Sequence, residues 1–332
     1  MQEGVHVIPE FTFECGATLK NMKVGYVTHG VLNERRDNAV LVTHGTSANR
    51  HTFDSYIGPG KAFDTANYFV IAVDAIGGGT SSSPLDGLGT NFPRYTIRDM
   101  VKAQHHLITH GLNLRGLLAA GGSSMGAFQA LEWGIHVPDF VKGLLLIVPA
   151  AKAPNNFKAV IDAMIEVVKL DPQWKSGQYI ENPVRGLSAA GMVFGTWFLS
   201  DSYLESRKTP EDYEEALMVM ARTYVTWDAT SWMWRYLASR EHDVSEPFGG
   251  DMKKALSTIT AKALVMPSAT DRVLPLFAAH ELRDVLANVS YEEIPSAMGH
   301  MAQNPGNLSS SEHRFVDTGI ATFLNKIRQS ST

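Results

Sequence analysis

Residues 118–130 read Leu-Ala-Ala-Gly-Gly-Ser-Ser-Met-Gly-Ala-Phe-Gln-Ala. A short apolar run leads into Gly122-Ser123-Ser124-Met125-Gly126, and a helix-forming stretch follows. This Gly-x-Ser-x-Gly spacing predicts a nucleophile elbow. A sharp strand-to-helix turn crowds the backbone, so the positions two before and two after the serine must be nearly free of side chain. Such a turn lifts Ser124 Oγ clear of the sheet. It also aims the Met125 amide at a reacting carbonyl and sets the positive end of a helix dipole under any oxyanion that forms. A glycine-rich turn with incidental serines spells the same letters, so the rest of the chain has to supply a base and an acid.

The bulk composition narrows the alternatives. With 332 residues and 44% apolar content, the chain can bury a core large enough for one domain with a big insertion, or for two domains. The net charge of −5 offers no basic footprint, which argues against nucleic acid or an anionic membrane surface as partner and for a small-molecule ester substrate. One cysteine, Cys15, excludes an internal disulfide and a cysteine-rich zinc site. His105-His106 falls in a helical stretch with no third ligand nearby in sequence, so no metal is expected. Gly77-Gly-Gly-Thr80 lacks the ending of a phosphate loop and the spacing of a dinucleotide fingerprint; it reads as a flexible turn near the site, and no cofactor is expected. No uncharged apolar run reaches the roughly 18 residues of a membrane span. Polar and charged residues follow Met1, so the expected location is the cytoplasm.

Along the first 150 residues, short β-branched strands alternate with helical patterns, the mark of a parallel sheet covered on both faces. Strands are predicted at 38–43, 68–73, 117–120 and 141–148, each ending in a loop of small or polar residues. Such loops converge on one crevice beyond the carboxyl ends of the strands. Between 152 and 250 the strand pattern stops. Helical runs there carry Trp174, Trp197, Trp227, Trp232 and Trp234 and predict a helical lid inserted into a core made of 1–151 and 251–332. A ceiling of Phe194, Trp197, Phe198, Trp227 and Met233 is expected over Ser124, excluding water from the acyl group. Strands return at 263–266 and 290–294, before a terminal helix near 314–327.

A serine hydroxyl is a poor nucleophile until a base takes its proton, and the base needs a carboxylate to orient it. On a parallel sheet carrying this elbow, acid and base follow the serine on loops after late strands. Two loops fit: Pro267-Ser-Ala-Thr-Asp271 and Pro295-Ser-Ala-Met-Gly-His300. Asp271 and His300 are therefore the candidate acid and base. The loop His44-Gly45-Thr46, after the strand expected beside the elbow strand, is placed to supply a second oxyanion donor. The amides of Thr46 and Met125 are the candidates, with His44 itself packing structurally.

The chain also resembles the homoserine O-acetyltransferase-like α/β-hydrolases over nearly its whole length. The likeness is carried by Asn38-Ala-Val-Leu-Val42, Gly58-Pro-Gly-Lys-Ala-Phe-Asp-Thr65, Phe92-Pro93 and Thr96-Ile-Arg-Asp-Met-Val101. It continues through Ser124-Met-Gly-Ala-Phe-Gln-Ala-Leu-Glu-Trp133 and Asp171-Pro-x-Trp174 with Gly177 and Tyr179. The resemblance implies the α/β-hydrolase fold, a Ser124-Asp271-His300 triad, an acyl-serine intermediate, a helical lid and a homodimer formed through it. Two departures concern the amino-acid acceptor. The transferases commonly follow the histidine with an aspartate that receives the homoserine ammonium, whereas His300 is followed by Met301; and Gly186-Leu-Ser-Ala-Ala-Gly191 puts Gly191 where an arginine would grip the carboxylate. Burying a zwitterion without those partners costs several kcal/mol, about 3–5 when one partner of a buried pair is lost. The expected activity is thus hydrolysis of small acetyl-type esters, with Gly45, Met301, Phe194, Trp197, Phe198 and Trp227 lining the substrate pocket. The alternative is an acyl-CoA-dependent O-acyltransferase with an alcohol acceptor other than homoserine, for which Arg185, Arg207, Lys208 and Arg222 could hold a CoA phosphate.

Overall fold

In the computed structural model, which describes residues 1–304 and 306–330, eight strands form one sheet: Gln2–Thr12 (β1), Thr18–His29 (β2), Ala39–Thr43 (β3), Phe69–Val73 (β4), Ala119–Ser123 (β5), Gly143–Ile147 (β6), Lys262–Met266 (β7) and Val289–Tyr291 (β8). Their spatial order is β1-β2-β4-β3-β5-β6-β7-β8. From β4 to β8 all pairings are parallel, while β1 with β2 and β2 with β4 are antiparallel. β3, β5 and β6 are buried at every position, because a parallel strand covered on both faces has no solvent side. Their alternate residues feed two cores. Leu41, Ile71, Leu144 and Val265 face one side; Val40, Val70, Leu145 and Leu264 face the other.

The N-terminal ribbon was not picked out in the sequence. β1 and β2 are long, half-exposed and antiparallel, and they extend the mostly parallel sheet that was expected. β1 is the edge strand and β2 pairs with β4 only from Tyr26 to His29, so much of the ribbon meets water and polar residues interrupt the apolar run that marks the buried strands. The last predicted strand, 290–294, is shorter than expected, with Ile294 joined to Ser268 by a single bridge.

Helices Ile97–His106 (α1) and Met125–His136 (α2) pack into one core with the inserted helices. After β6 come Asn155–Lys169 (α3), Val184–Phe198 (α4), Asp201–Glu205 (α5), Pro210–Tyr224 (α6) and Ala229–Arg240 (α7), with no strand between β6 and β7 among the described residues. The bridge Lys152↔Asp243 and the ion pair between their side chains at 2.7 Å draw the two ends of this helical insertion together. Met252–Ser257 (α8) and Leu276–Val285 (α9) flank β7, and Ser311–Gln329 (α10) covers the other face through Val316, Ile320, Phe323 and Leu324.

Candidate active site

Ser124 joins β5 to α2 at φ 56°, ψ −121°, a conformation that side chains other than glycine rarely adopt. A Cβ at Gly122 or at Gly126 would lie 2.3 Å from the carbonyl oxygen of Thr43 in either case. Neither glycine has a positive φ, so the elbow asks them for room against β3 rather than for left-handed freedom. Thr43 Oγ1 braces the turn by donating to the carbonyls of Gly121 (3.0 Å) and Gly126 (2.9 Å). The serine amide is spent on Ile147 of the neighbouring strand (3.0 Å).

The structure brings the three residues chosen from sequence together. His300 Nε2 lies 3.0 Å from Ser124 Oγ, and His300 Nδ1 lies 2.6 Å from Asp271 Oδ2. The other carboxylate oxygen accepts from the amides of Val273 (2.8 Å) and Leu274 (2.9 Å), which fixes the rotamer and turns Oδ2 to the imidazole. With Nδ1–H given to Asp271, Nε2 presents its lone pair to the serine hydroxyl. Gly299 has φ 66°, and a Cβ there would fall 2.6 Å from Ser200 N, so the histidine loop is tucked beneath the end of α4. Phe198 then meets the imidazole edge-to-face at 5.6 Å.

Two backbone amides flanking Ser124, those of Thr46 and Met125, have no partner among the described residues. His44 prepares the first. Its Nε2 accepts from Ala75 N (3.0 Å), so Nδ1 carries the proton and donates to Gly45 O (2.7 Å). That carbonyl shares a peptide unit with the Thr46 N–H, which the bond polarises. Burial lowers the His44 pKa to about 4, keeping the ring neutral. From above, helix α7 grips the same loop: Ser239 Oγ bonds Thr46 Oγ1 (3.0 Å), the Tyr236 hydroxyl bonds Ser47 Oγ (2.6 Å), and Arg235 donates to the carbonyls of Thr46 and Ala48.

A cavity of about 430 Å³ opens over Ser124, lined by Gly45, Thr46, Ser47, Ala48, His300 and Met301 below and by Phe157, Phe194, Phe198, Val219, Met220 and Tyr236 from the lid. No Asp, Glu, Lys or Arg is among its lining residues. Gly45, Met301, Phe194 and Phe198 stand where the sequence put them. Trp197, Trp227 and Met233 do not. Phe194 and Phe198 share one face of α4, which rotates Trp197 aside to lie under the Arg272 guanidinium at 5.2 Å. Trp227 precedes α7 and carries the Arg235 guanidinium at 4.3 Å, while Met233 and Trp234 line a separate groove. Nor is Gly77-Gly-Gly-Thr80 a loose turn: it wraps the Asp74 carboxylate, which accepts from Thr80 N at 2.9 Å. Sequence reasoning missed Phe157, Ser47, Val219, Met220 and Tyr236, for which no local motif exists. The four basic residues considered for a CoA phosphate all lie outside the cavity; Arg222 pairs with Glu215 on the surface and Arg207 lies over Tyr203.

Gly191, which the family resemblance matches to an arginine, is a closed position. A Cβ on Gly191 would lie 2.4 Å from Ala221 Cα, so the backbone of α6 fills the space a longer side chain would need. Among the described residues no cluster of three or more His, Cys, Asp or Glu could hold a metal ion, and no helix is long and apolar enough to cross a membrane.

Residues 38–306 match the family described as the alpha/beta hydrolase fold. Homoserine O-acetyltransferase of Leptospira biflexa is 30% identical over 336 residues, covering 90% of this chain and 89% of its own. The chain belongs to the homoserine O-acetyltransferase-like α/β-hydrolases. Among solved structures it is similar to the acetyl esterase MekB, with a TM-score of 0.92, 26% identity and coverage of 98% and 97% of the two chains. The homoserine O-acetyltransferase of Bacillus anthracis gives a TM-score of 0.88 at 28% identity, with coverage of 98% and 97%. It is therefore an enzyme of this family. The sequence reading puts hydrolysis first; the transferases among the relatives favour its alternative, acyl transfer.

Proposed function

We propose that this enzyme takes a short acyl group from an ester or thioester onto Ser124 and passes it to an uncharged alcohol, with water as the competing acceptor. The supporting observation is the cavity wall, which has a nucleophile and a base at its floor and no charged side chain to receive an amino acid's ammonium or carboxylate. A zwitterion bound there would leave two charges unpaired, each costing about 3 kcal/mol or more. The likeness to transferases supports the acyl-enzyme and its transfer to an alcohol.

The chemistry follows from the hydrogen bonds. As Ser124 Oγ attacks the acyl carbonyl, its proton passes to His300 Nε2; Asp271 holds the ring in the required tautomer and stabilises the imidazolium. The oxyanion is received by the Thr46 and Met125 amides, each worth about 3–4 kcal/mol in the transition state. His300 protonates the departing alcohol or thiol, then takes the acceptor's proton as the acceptor oxygen attacks the acyl-serine, and returns it to Ser124 Oγ as the acyl–serine bond breaks. Ester hydrolysis is the second reading, favoured by the likeness to an acetyl esterase over 98% of this chain.

Partition of the acyl group decides between them. With p-nitrophenyl acetate or acetyl-CoA as donor, neutral alcohols are expected to yield acetate esters at the expense of free acetate, and homoserine to yield none. Free acetate alone at saturating alcohol would establish the esterase. Efficient acetylation of homoserine would overturn the neutral-acceptor reading. Ser124→Ala must abolish whichever product forms.

A further inference from the structure

Helix α7 carries a charged side chain into the interior of the lid. Arg235 is 1% exposed, and among the described residues its guanidinium forms no ion pair. Asp74, the carboxylate that acts on it electrostatically, is already engaged by Arg50 and by the amide of Thr80. Nη1 donates to Thr46 O at 3.1 Å and to Ala48 O at 3.0 Å, while Nε and Nη2 make no hydrogen bond of regular geometry and have the buried Tyr95 hydroxyl as their polar neighbour. The guanidinium rests on the Trp227 ring, and the absence of a side chain at Gly78 makes room for it, since a Cβ there would lie 2.3 Å from Nη2.

This is an expensive way to hold a loop. A buried guanidinium with incompletely satisfied donors and no direct ion pair destabilises the fold, and an apolar side chain of similar length in its place is often neutral or stabilising. Tyr236 and Ser239 already tie the loop to α7 with neutral hydroxyls. What the arginine adds is a two-point grip on the carbonyls either side of Ser47, together with a positive charge close to where the oxyanion develops, in an interior where charge is weakly screened.

We propose that Arg235 is a positioning residue for the oxyanion hole, clamping the Gly45–Ala48 loop so that the Thr46 amide stays aimed into the cavity. The inference rests on the reading of Ser124 as the acylated nucleophile and of Thr46 as an oxyanion donor. It predicts that activity and stability separate on substitution, which a purely structural role does not produce.

The test compares wild type, R235M and R235K in the full chain, measuring kcat and KM with p-nitrophenyl acetate together with thermal unfolding. Loss of a whole oxyanion donor costs about 10²–10³ in kcat, so a displaced donor is expected to cost about 10–100-fold. R235M should show that loss with KM within about twofold of wild type and with Tm equal or higher. R235K, whose ammonium keeps the charge without the planar fork, should recover part of kcat. An R235M enzyme with wild-type kcat overturns the proposal, as does one whose kcat loss comes with a raised KM and a lowered Tm. If R235M does not fold, R235K decides: reduced kcat at unchanged KM supports the clamp, and wild-type kcat overturns it. A wild type that does not turn over the ester removes the functional reading and this inference with it, a result distinct from a variant that matches an active wild type.

Discussion

Ser124 sits at φ 56°, ψ −121° because the elbow forces it there, a strain of the order of 1–3 kcal/mol. Two substitutions separate strain from chemistry. Ser124→Ala keeps the conformation and is expected to lose roughly 10⁶-fold in acyl turnover with little change in Tm. Ser124→Gly should lose as much activity while gaining about 1 kcal/mol of stability, read from urea unfolding, because glycine adopts this backbone freely. Asp271→Asn replaces the acceptor of the 2.6 Å bond from His300 Nδ1 and favours the wrong tautomer, with an expected kcat loss of about 10⁴-fold and the KM largely kept. These three residues were legible because the elbow has a local spelling and because acid and base each follow a strand in chain order. Tyr236 and Ser47 have no such spelling: their hydroxyls meet 2.6 Å apart across 189 positions.

Helices α4 and α6 pack with their backbones nearly touching, and Gly191 and Gly195 are the reason. The effect of Gly191→Ala has two opposing parts. Alanine gains about 1 kcal/mol in helix propensity. Its Cβ would, however, stand 2.4 Å from Ala221 Cα, and backbone cannot step aside as a flexible side chain can. Overpacking of this kind costs about 1–3 kcal/mol, so a lowered Tm is expected despite the better helix former. The same contact means that Gly191→Arg should not confer homoserine acetylation; it should displace α6, measured as a drop in Tm with no homoserine product. Helical periodicity located the lid and named Phe194 and Phe198, yet it misplaced Trp197 and Trp227. An aromatic at roughly helical spacing reports that a helix is packed, not which neighbour it packs against.

Across the whole molecule, His44 and His242 are buried neutral, with pKa values lowered by burial to about 4 and about 3. In the unfolded chain both titrate near 6.5, so below about pH 6.5 the unfolded state binds more protons and stability falls as pH drops toward 4. The two groups together should cost about 2–3 kcal/mol between pH 7.5 and pH 5.5, measured as a shift in urea midpoint. A His242→Gln variant is expected to show a shallower slope. The lid also exposes Val184, Met192 and Tyr213, and the family resemblance implies pairing through it. The expected state in sedimentation is a dimer, with charge placed at Met192 shifting it toward monomer.

The parallel sheet, the elbow, the acid and the base could be read from the order of residues, whereas the absence of charged acceptor groups at Gly191 and Met301 was implied only by the family resemblance. Each of those four depends on local periodicity, on a turn that only glycine permits, or on strand ends that a doubly covered sheet must bring to one edge. The antiparallel N-terminal ribbon, the wall of the cavity, the closure of the Gly191 position by α6 and the grip of Arg235 on the oxyanion loop emerged only once the chain was folded. They are contacts between segments tens to hundreds of residues apart, set by how helices rotate and close against one another, and no local pattern encodes that rotation.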